Sequence, residues 1–223
     1  MWDKVKFNNP DLLQQAFTHR SYLNEHPEIA TGHNERLEFL GDAVLELIVT
    51  DYLFKKYPEQ NEGELTAYRA ALVNAETLAK VAEEAGMNDY LLLSRGEQKD
   101  TGRARSAILA NTFESVLGAI FLDQGYAVAQ QFVTDYLFPK TDEIVKNQLW
   151  QDAKSLFQEK SQSLANTTPN YEVLSETGPD HDKVFTVGLY LGEELISEGT
   201  GPSKQRAEQE AAKAGLVVKN WQI

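Results

Sequence analysis

Two spacings of apolar residues divide this chain, and the division limits the folds open to it. From Asp11 to Gln148 the apolar side chains recur at helical intervals, with no convincing strand. After Trp150 the pattern changes. Tyr171–Leu174, Val184–Tyr190 and Glu194–Gly199 are alternating or β-branched runs divided by turn residues. Amphipathic stretches bracket them at Asp152–Ala165 and Ser203–Lys219, the second capped by Ser203. The expectation is an all-α domain over residues 1–149, then a small α+β domain, α-β-β-β-α, over 152–221. The boundary at 149–152 is short and is not a Gly/Ser linker.

Within the helical part, Asn9-Pro10 starts a short helix over Asp11–Phe17. His19 follows and reads as a satisfied, partly buried histidine or as a ligand. Asn34 is placed to cap a central helix that ends near Lys56-Tyr57-Pro58. Gly63–Val73 and Ala75–Ala85 read as two further helices, the second closed by Gly86. Ser94–Arg105 is a polar loop carrying a basic cluster, Arg95, Lys99, Arg103 and Arg105. Ser106–Asp123 is strongly helical up to Gly125, and a last helix is expected over about Ala127–Gln148.

The central helix carries the first chemical signal. At about 100° per residue, Glu35, Glu38 and Asp42 fall in one narrow stripe. Leu37, Leu40, Val44, Leu47 and Ile48 are expected on the opposite, buried side. Like charges at this spacing repel by a few tenths of a kcal/mol each. Such a row is either a solvated face or a place where a cation sits. On the later helix, Asn111 and Glu114 share a side with Ala107, Ser115 and Gly118, while Phe113, Val116, Leu117 and Ile120 form the apolar side. Small neighbours point to close approach of another helix and a part-buried Glu114. Its partner is then an arginine or a metal ion.

Glu38, Asp42, Asn111 and Glu114 together make a hard-oxygen set suited to Mg²⁺, for which Mn²⁺ can substitute. Carboxylates sharing divalent ions point to phosphoryl chemistry. The chain has no cysteine, which excludes disulfides, thiolate zinc and a cysteine nucleophile. The first residues lack the apolar run of a signal peptide. The best apolar stretch, Ala43–Phe54, is broken by Glu46 and Asp51 and is too short for a bilayer. A cytoplasmic protein without membrane partner is expected. The net charge of −13 disfavours long-range attraction to a polyanion, so nucleic-acid binding must rest on local basic clusters or bridging cations.

The run Asn34–Asp42 closely resembles the signature of ribonuclease III, a family of double-stranded-RNA endonucleases. Thr18–Tyr22 and Phe113–Asp123 resemble the same family, in the right order. Gly178–Phe185 and Ser203–Ala212 resemble its double-stranded-RNA-binding domain. The resemblance spans nearly the whole chain and is to the short bacterial form. It implies that Glu38, Asp42, Asn111 and Glu114 occupy metal positions, with Asp42 and Glu114 most directly tied to hydrolysis. It makes Glu35 and Glu62 accessory acids. It further implies a homodimer with the central helix at the interface and Phe39 inserted into the partner subunit. The reaction would be Mg²⁺-dependent hydrolysis of double-stranded RNA, leaving 5′-phosphate and 3′-hydroxyl ends, on structured precursors such as ribosomal RNA. No nucleotide cofactor is implied.

The sequence departs from the family at two places. Asn111 stands where aspartate is usual, which is either a tolerated variant or the mark of a non-cleaving RNA-binding protein. In the RNA-binding domain the family layout implies contacts from Gln158 and Gln162 to 2′-hydroxyls, from His181 to a minor groove, and from Lys204, Gln205 and Arg206 to phosphates. The family usually has two adjacent basic residues where this chain has Lys204-Gln205. Residues 152–223 hold seven basic and eleven acidic side chains, a net charge of −4, so modest and strongly salt-dependent RNA affinity is expected.

Overall fold

Asn9 opens the first helix as expected: its side chain accepts from the backbone N–H of Asp11, and Pro10 occupies the first turn, where a missing N–H costs nothing. The computed structural model describes residues 5–146, 150, 152–179 and 183–221. The chain divides into two compact units, Met1–Trp150 and Gln151–Ile223.

The first unit is helical: α1 (Pro10–Phe17), α2 (Arg20–Leu23), α3 (Glu35–Lys56), α4 (Glu62–Val73), α5 (Ala75–Glu84), α6 (Arg103–Gln124), α7 (Tyr126–Tyr136) and α8 (Thr141–Lys146). Its described residues form no strand, only an isolated bridge between Thr18 and Leu92. Asn61 and Glu64 close a capping box at the start of α4, and Asn74 caps α5.

The core is built on α6. Ile108, Phe113, Val116, Leu117 and Ile120 are all buried, and α1, α3, α5 and α7 pack around this helix. By length and composition α6, rather than Ala43–Phe54, is apolar enough to cross a membrane, but its apolar side chains are the interior of the unit.

Four local expectations need correction. The buried face of α3 comprises Leu37, Gly41, Val44, Leu45, Ile48, Val49 and Leu53, whereas Leu47 is 58% exposed. The face is rotated because Gly41, not a leucine, meets α6. Asn34 makes no side-chain cap. It is buried, and its N–H donates to the Thr18 carbonyl at 2.9 Å. The single helix expected over 127–148 is broken after Tyr136 by a 3₁₀ turn, Phe138–Lys140, where Pro139 supplies no N–H and would clash with the preceding turn. Helix α6 begins at Arg103, three residues early, because the Arg105 guanidinium donates to the carbonyls of Glu97, Gln98 and Asp100 and folds the preceding loop onto the helix start.

The second unit runs α9 (Ala153–Ala165), β1 (Pro169–Thr177), β2 (Val184–Leu191), β3 (Glu194–Gly201) and α10 (Lys204–Val218), the helix-strand order read from the sequence. The strands form an antiparallel sheet in the order β1-β2-β3, with Tyr171 opposite Leu189 and Leu189 opposite Ser197. Both helices contribute to its core, in which Phe157, Leu189, Ile196, Ala211, Ala212 and Leu216 are buried. Each large apolar side chain so buried stabilises the unit by about 1.5–3 kcal/mol.

Candidate active site

The acidic stripe of α3 meets α6 at a backbone contact. A Cβ on Gly41 would stand 1.8 Å from the Glu114 carbonyl oxygen, and one on Gly118 would stand 2.2 Å from that of Leu37. Only glycine permits this approach, and it sets Glu114 against the stripe. Glu114 is half-buried, as its small neighbours implied, whereas Asp42 and Asn111 are exposed.

Electrostatics tie the four residues together. Burial, followed by the charges of Asp42, Glu38 and Glu46, pushes Glu114 up to about 7. Burial and then Glu35 and Asp42 raise Glu38, while a hydrogen bond from the Asn111 side chain pulls it back. An amide side chain beside a carboxylate can donate through its N–H while its carbonyl oxygen remains an acceptor.

Among the described residues, none of Glu38, Asp42 and Glu114 makes an ion pair. A half-buried carboxylate among like charges needs a compensating cation, and the oxygen-only donor set suits a hard divalent ion. The repelling side chains stand apart: among the described residues no three His, Asp or Glu groups are gathered within reach of one metal.

The accessory acids behave differently. Glu35 is already paired, 3.3 Å from Arg20 and 3.7 Å from His33. Glu62 is exposed at the first position of α4, where it complements the helix dipole, and it is not among the charges acting on Glu38 or Glu114. Glu46, which the sequence reading did not single out as a site residue, is among the charges acting on Glu114. It extends the α3 stripe one turn beyond Asp42, a continuation visible in the sequence but read there only as a break in an apolar run. His19 is no part of this centre. Its Nδ1 meets the Ser21 hydroxyl at 2.8 Å, and burial lowers its pKa.

Phe39 is 82% exposed beside the acidic stripe, and α3 also exposes Leu47 and Phe54 (71%). At the other candidate surface, Gln158 and Gln162 lie exposed one turn apart on α9. Lys204, Gln205 and Arg206 are exposed in the first turn of α10, which Ser203 caps by accepting from the Arg206 N–H. The Lys204 ammonium lies 5.9 Å from the centroid of the Phe185 ring. His181 lies outside the described residues.

Comparison with known proteins accords with both halves of this geometry. Residues 9–141 match the model of a ribonuclease-III-like domain, and residues 153–217 match the double-stranded RNA binding motif. The chain is 46% identical to ribonuclease 3 of Enterococcus faecalis over 95% of its own length and 92% of that protein. It is also 46% identical to ribonuclease 3 of Carboxydothermus hydrogenoformans, over 96% and 92%. Among solved structures, the nuclease domain of ribonuclease III from Campylobacter jejuni covers 60% of this chain and 89% of that one, with a TM-score of 0.54 and 38% identity. With both family models matched in order along one chain, and relatives 46% identical over almost its whole length, this chain belongs to the ribonuclease III family of endoribonucleases.

Proposed function

We propose that this protein hydrolyses phosphodiester bonds in double-stranded RNA with Mg²⁺, leaving 5′-phosphate and 3′-hydroxyl ends, and that structured precursors such as ribosomal RNA are its substrates in the cytoplasm. The observation that carries the reading is the backbone contact of α3 with α6, which sets Glu114 within the field of Glu38 and Asp42 without a counter-charge among the described residues. Glu38, Asp42 and Glu114, with the Asn111 carbonyl, are the groups that would hold the cation. When bound, Mg²⁺ would activate a water and offset charge on the phosphate oxygens.

The chain's own groups prepare that chemistry. Asn111 would steady the Glu38 carboxylate, whose pKa it lowers against the effect of burial, so a neutral residue can still contribute to the donor set. Glu114, pushed up to about 7 by burial and neighbouring charge, would release its proton to help hold a cation. Lys204 and Arg206 would meet phosphates at the start of α10, and Gln158 and Gln162 would meet 2′-hydroxyls.

The working form would be a homodimer, each subunit cutting one strand. The exposed Phe39, Leu47 and Phe54 on one face of α3 support a second copy there. The related Campylobacter jejuni nuclease domain is described as having a region involved in dimer formation.

A purified sample incubated with a perfect RNA duplex and Mg²⁺ tests the reading. Cleavage with 5′-phosphate products is expected, and Glu114→Gln should lower it by more than about a hundredfold, through lost stabilisation of transition-state charge, while leaving duplex binding intact. No cleavage by the natural sequence, with cleavage gained on Asn111→Asp, would establish the non-cleaving binder instead.

A further inference from the structure

Four of the acids of α3, Glu35, Glu38, Asp42 and Glu46, share one stripe, but they are not electrostatically alike. The two outer members are each met by an arginine from another helix. Arg20 of α2 reaches Glu35, and Arg69 of α4 reaches Glu46. The two inner members have no ion pair among the described residues. The Arg69 contact is the closer of the two. Its Nε lies 2.8 Å from Glu46 Oε2, and its Nη1 donates to the Thr50 hydroxyl at 2.9 Å. The guanidinium is thereby tied to two successive turns of α3, with the two side chains 35% and 39% exposed.

This pair adjoins the proposed cation site along the same stripe of α3. Glu46 is one turn beyond Asp42, and its charge acts on Glu114. Left bare, it would be a fourth carboxylate competing for a divalent ion.

We propose that Arg69 is a positioning residue for the hydrolytic centre: by pairing with Glu46 it withdraws that carboxylate from the cation, so that the ion is held by Glu38, Asp42 and Glu114. The inference rests on the proposed cation site. It assigns Arg69 no contact with RNA or with the reacting atoms. The pair keeps the cation over the acids that face Asn111 and Glu114 and moderates its affinity, as a unit charge within several ångströms of a divalent ion must.

The test is a double-mutant cycle on the full chain, titrated calorimetrically with Mn²⁺ alone in the absence of RNA. Removing the arginine charge (Arg69→Gln) should tighten Mn²⁺ binding about three- to tenfold, and removing the acid (Glu46→Gln) should weaken it by a similar factor. Restoring neutrality with both substitutions should return the affinity close to that of the natural protein. A pair that merely braces α4 on α3 would shift both single variants in the same direction, and that result, or no shift in either, overturns the proposal. Should Arg69→Gln fail to fold, the sign of the Glu46→Gln shift alone decides, since bracing predicts no charge-dependent weakening once thermal unfolding shows the variant intact. Glu114→Gln is the control. If it leaves Mn²⁺ binding unchanged the cation site itself is wrong, whereas weakened binding there with no shift at Glu46 or Arg69 rejects the positioning role only.

Discussion

Gly41 and Glu114 lie back to back, with the space for a Cβ on Gly41 already filled by the Glu114 carbonyl oxygen at 1.8 Å. The carboxylate proposed to act in hydrolysis is therefore positioned by a backbone contact, not by a side chain. Gly41→Ala must push α3 and α6 apart, because the obstructing atoms are main chain and cannot rotate away. The expected cost is at least about 3 kcal/mol, at the upper end for overpacked cores. Mn²⁺ binding should fall with it, even in molecules that remain folded. Urea unfolding and calorimetry on the same sample check both outcomes, and an unchanged midpoint would refute the close approach.

The same contact explains what could be read beforehand. Ser115 and Gly118 around a lone glutamate signalled a nearby helix, and the half-burial of Glu114 follows from it. Helical period alone could not fix which leucines of α3 turn inward. Leu47 sits on the expected apolar side, yet the helix is rotated by the Gly41 contact and leaves it outside. The Glu46–Arg69 pair was invisible for another reason: it joins two helices at a sequence distance that no periodicity encodes. Pro139 was legible, since a proline inside a helical pattern breaks it, but the apolar run on either side masked the interruption.

Proton binding at Glu114 gives the site a pH signature. Its pKa rises from an ordinary 4.5 to about 7 in the folded chain. Between those values the native state holds a proton that the unfolded chain releases, so metal-free stability falls as pH rises through the window. Glu38, also raised, adds a slope of the same sign. Glu114→Gln should flatten the dependence, as chelator-treated samples unfolded in urea would show. Mn²⁺ competes with that proton, and its affinity should climb by up to about tenfold per pH unit below about 7 and level above. A flat affinity between about pH 5.5 and 8.5 would contradict the assignment.

Phe39 makes the oligomeric state testable without touching the acids. A phenylalanine 82% exposed on a helix that also exposes Leu47 and Phe54 has the exposure the proposed dimer anchor requires. Phe39→Ala should weaken self-association by at least about tenfold, with each monomer's fold intact. Sedimentation equilibrium at several concentrations measures this. Identical association of the two proteins would place the interface elsewhere.

RNA binding is expected to be governed by few charges in an unfavourable background. Residues 152–223 carry a net −4, so any attraction to phosphates is local to the exposed Lys204 and Arg206 at the start of α10. Each phosphate contact releases counterions, and its loss reduces the slope of log affinity against log salt by about one. Lys204→Ala and Arg206→Ala should each flatten the slope by that amount and weaken binding at low salt. Gln158→Ala bears no charge to lose. If Gln158 meets a 2′-hydroxyl, its removal lowers affinity while the salt slope stays fixed. Filter binding of a duplex across a salt series therefore separates the two kinds of contact on one domain. A natural-sequence affinity that barely changed between low and physiological salt would exclude phosphate contacts at α10, and would move recognition to the neutral groups of α9.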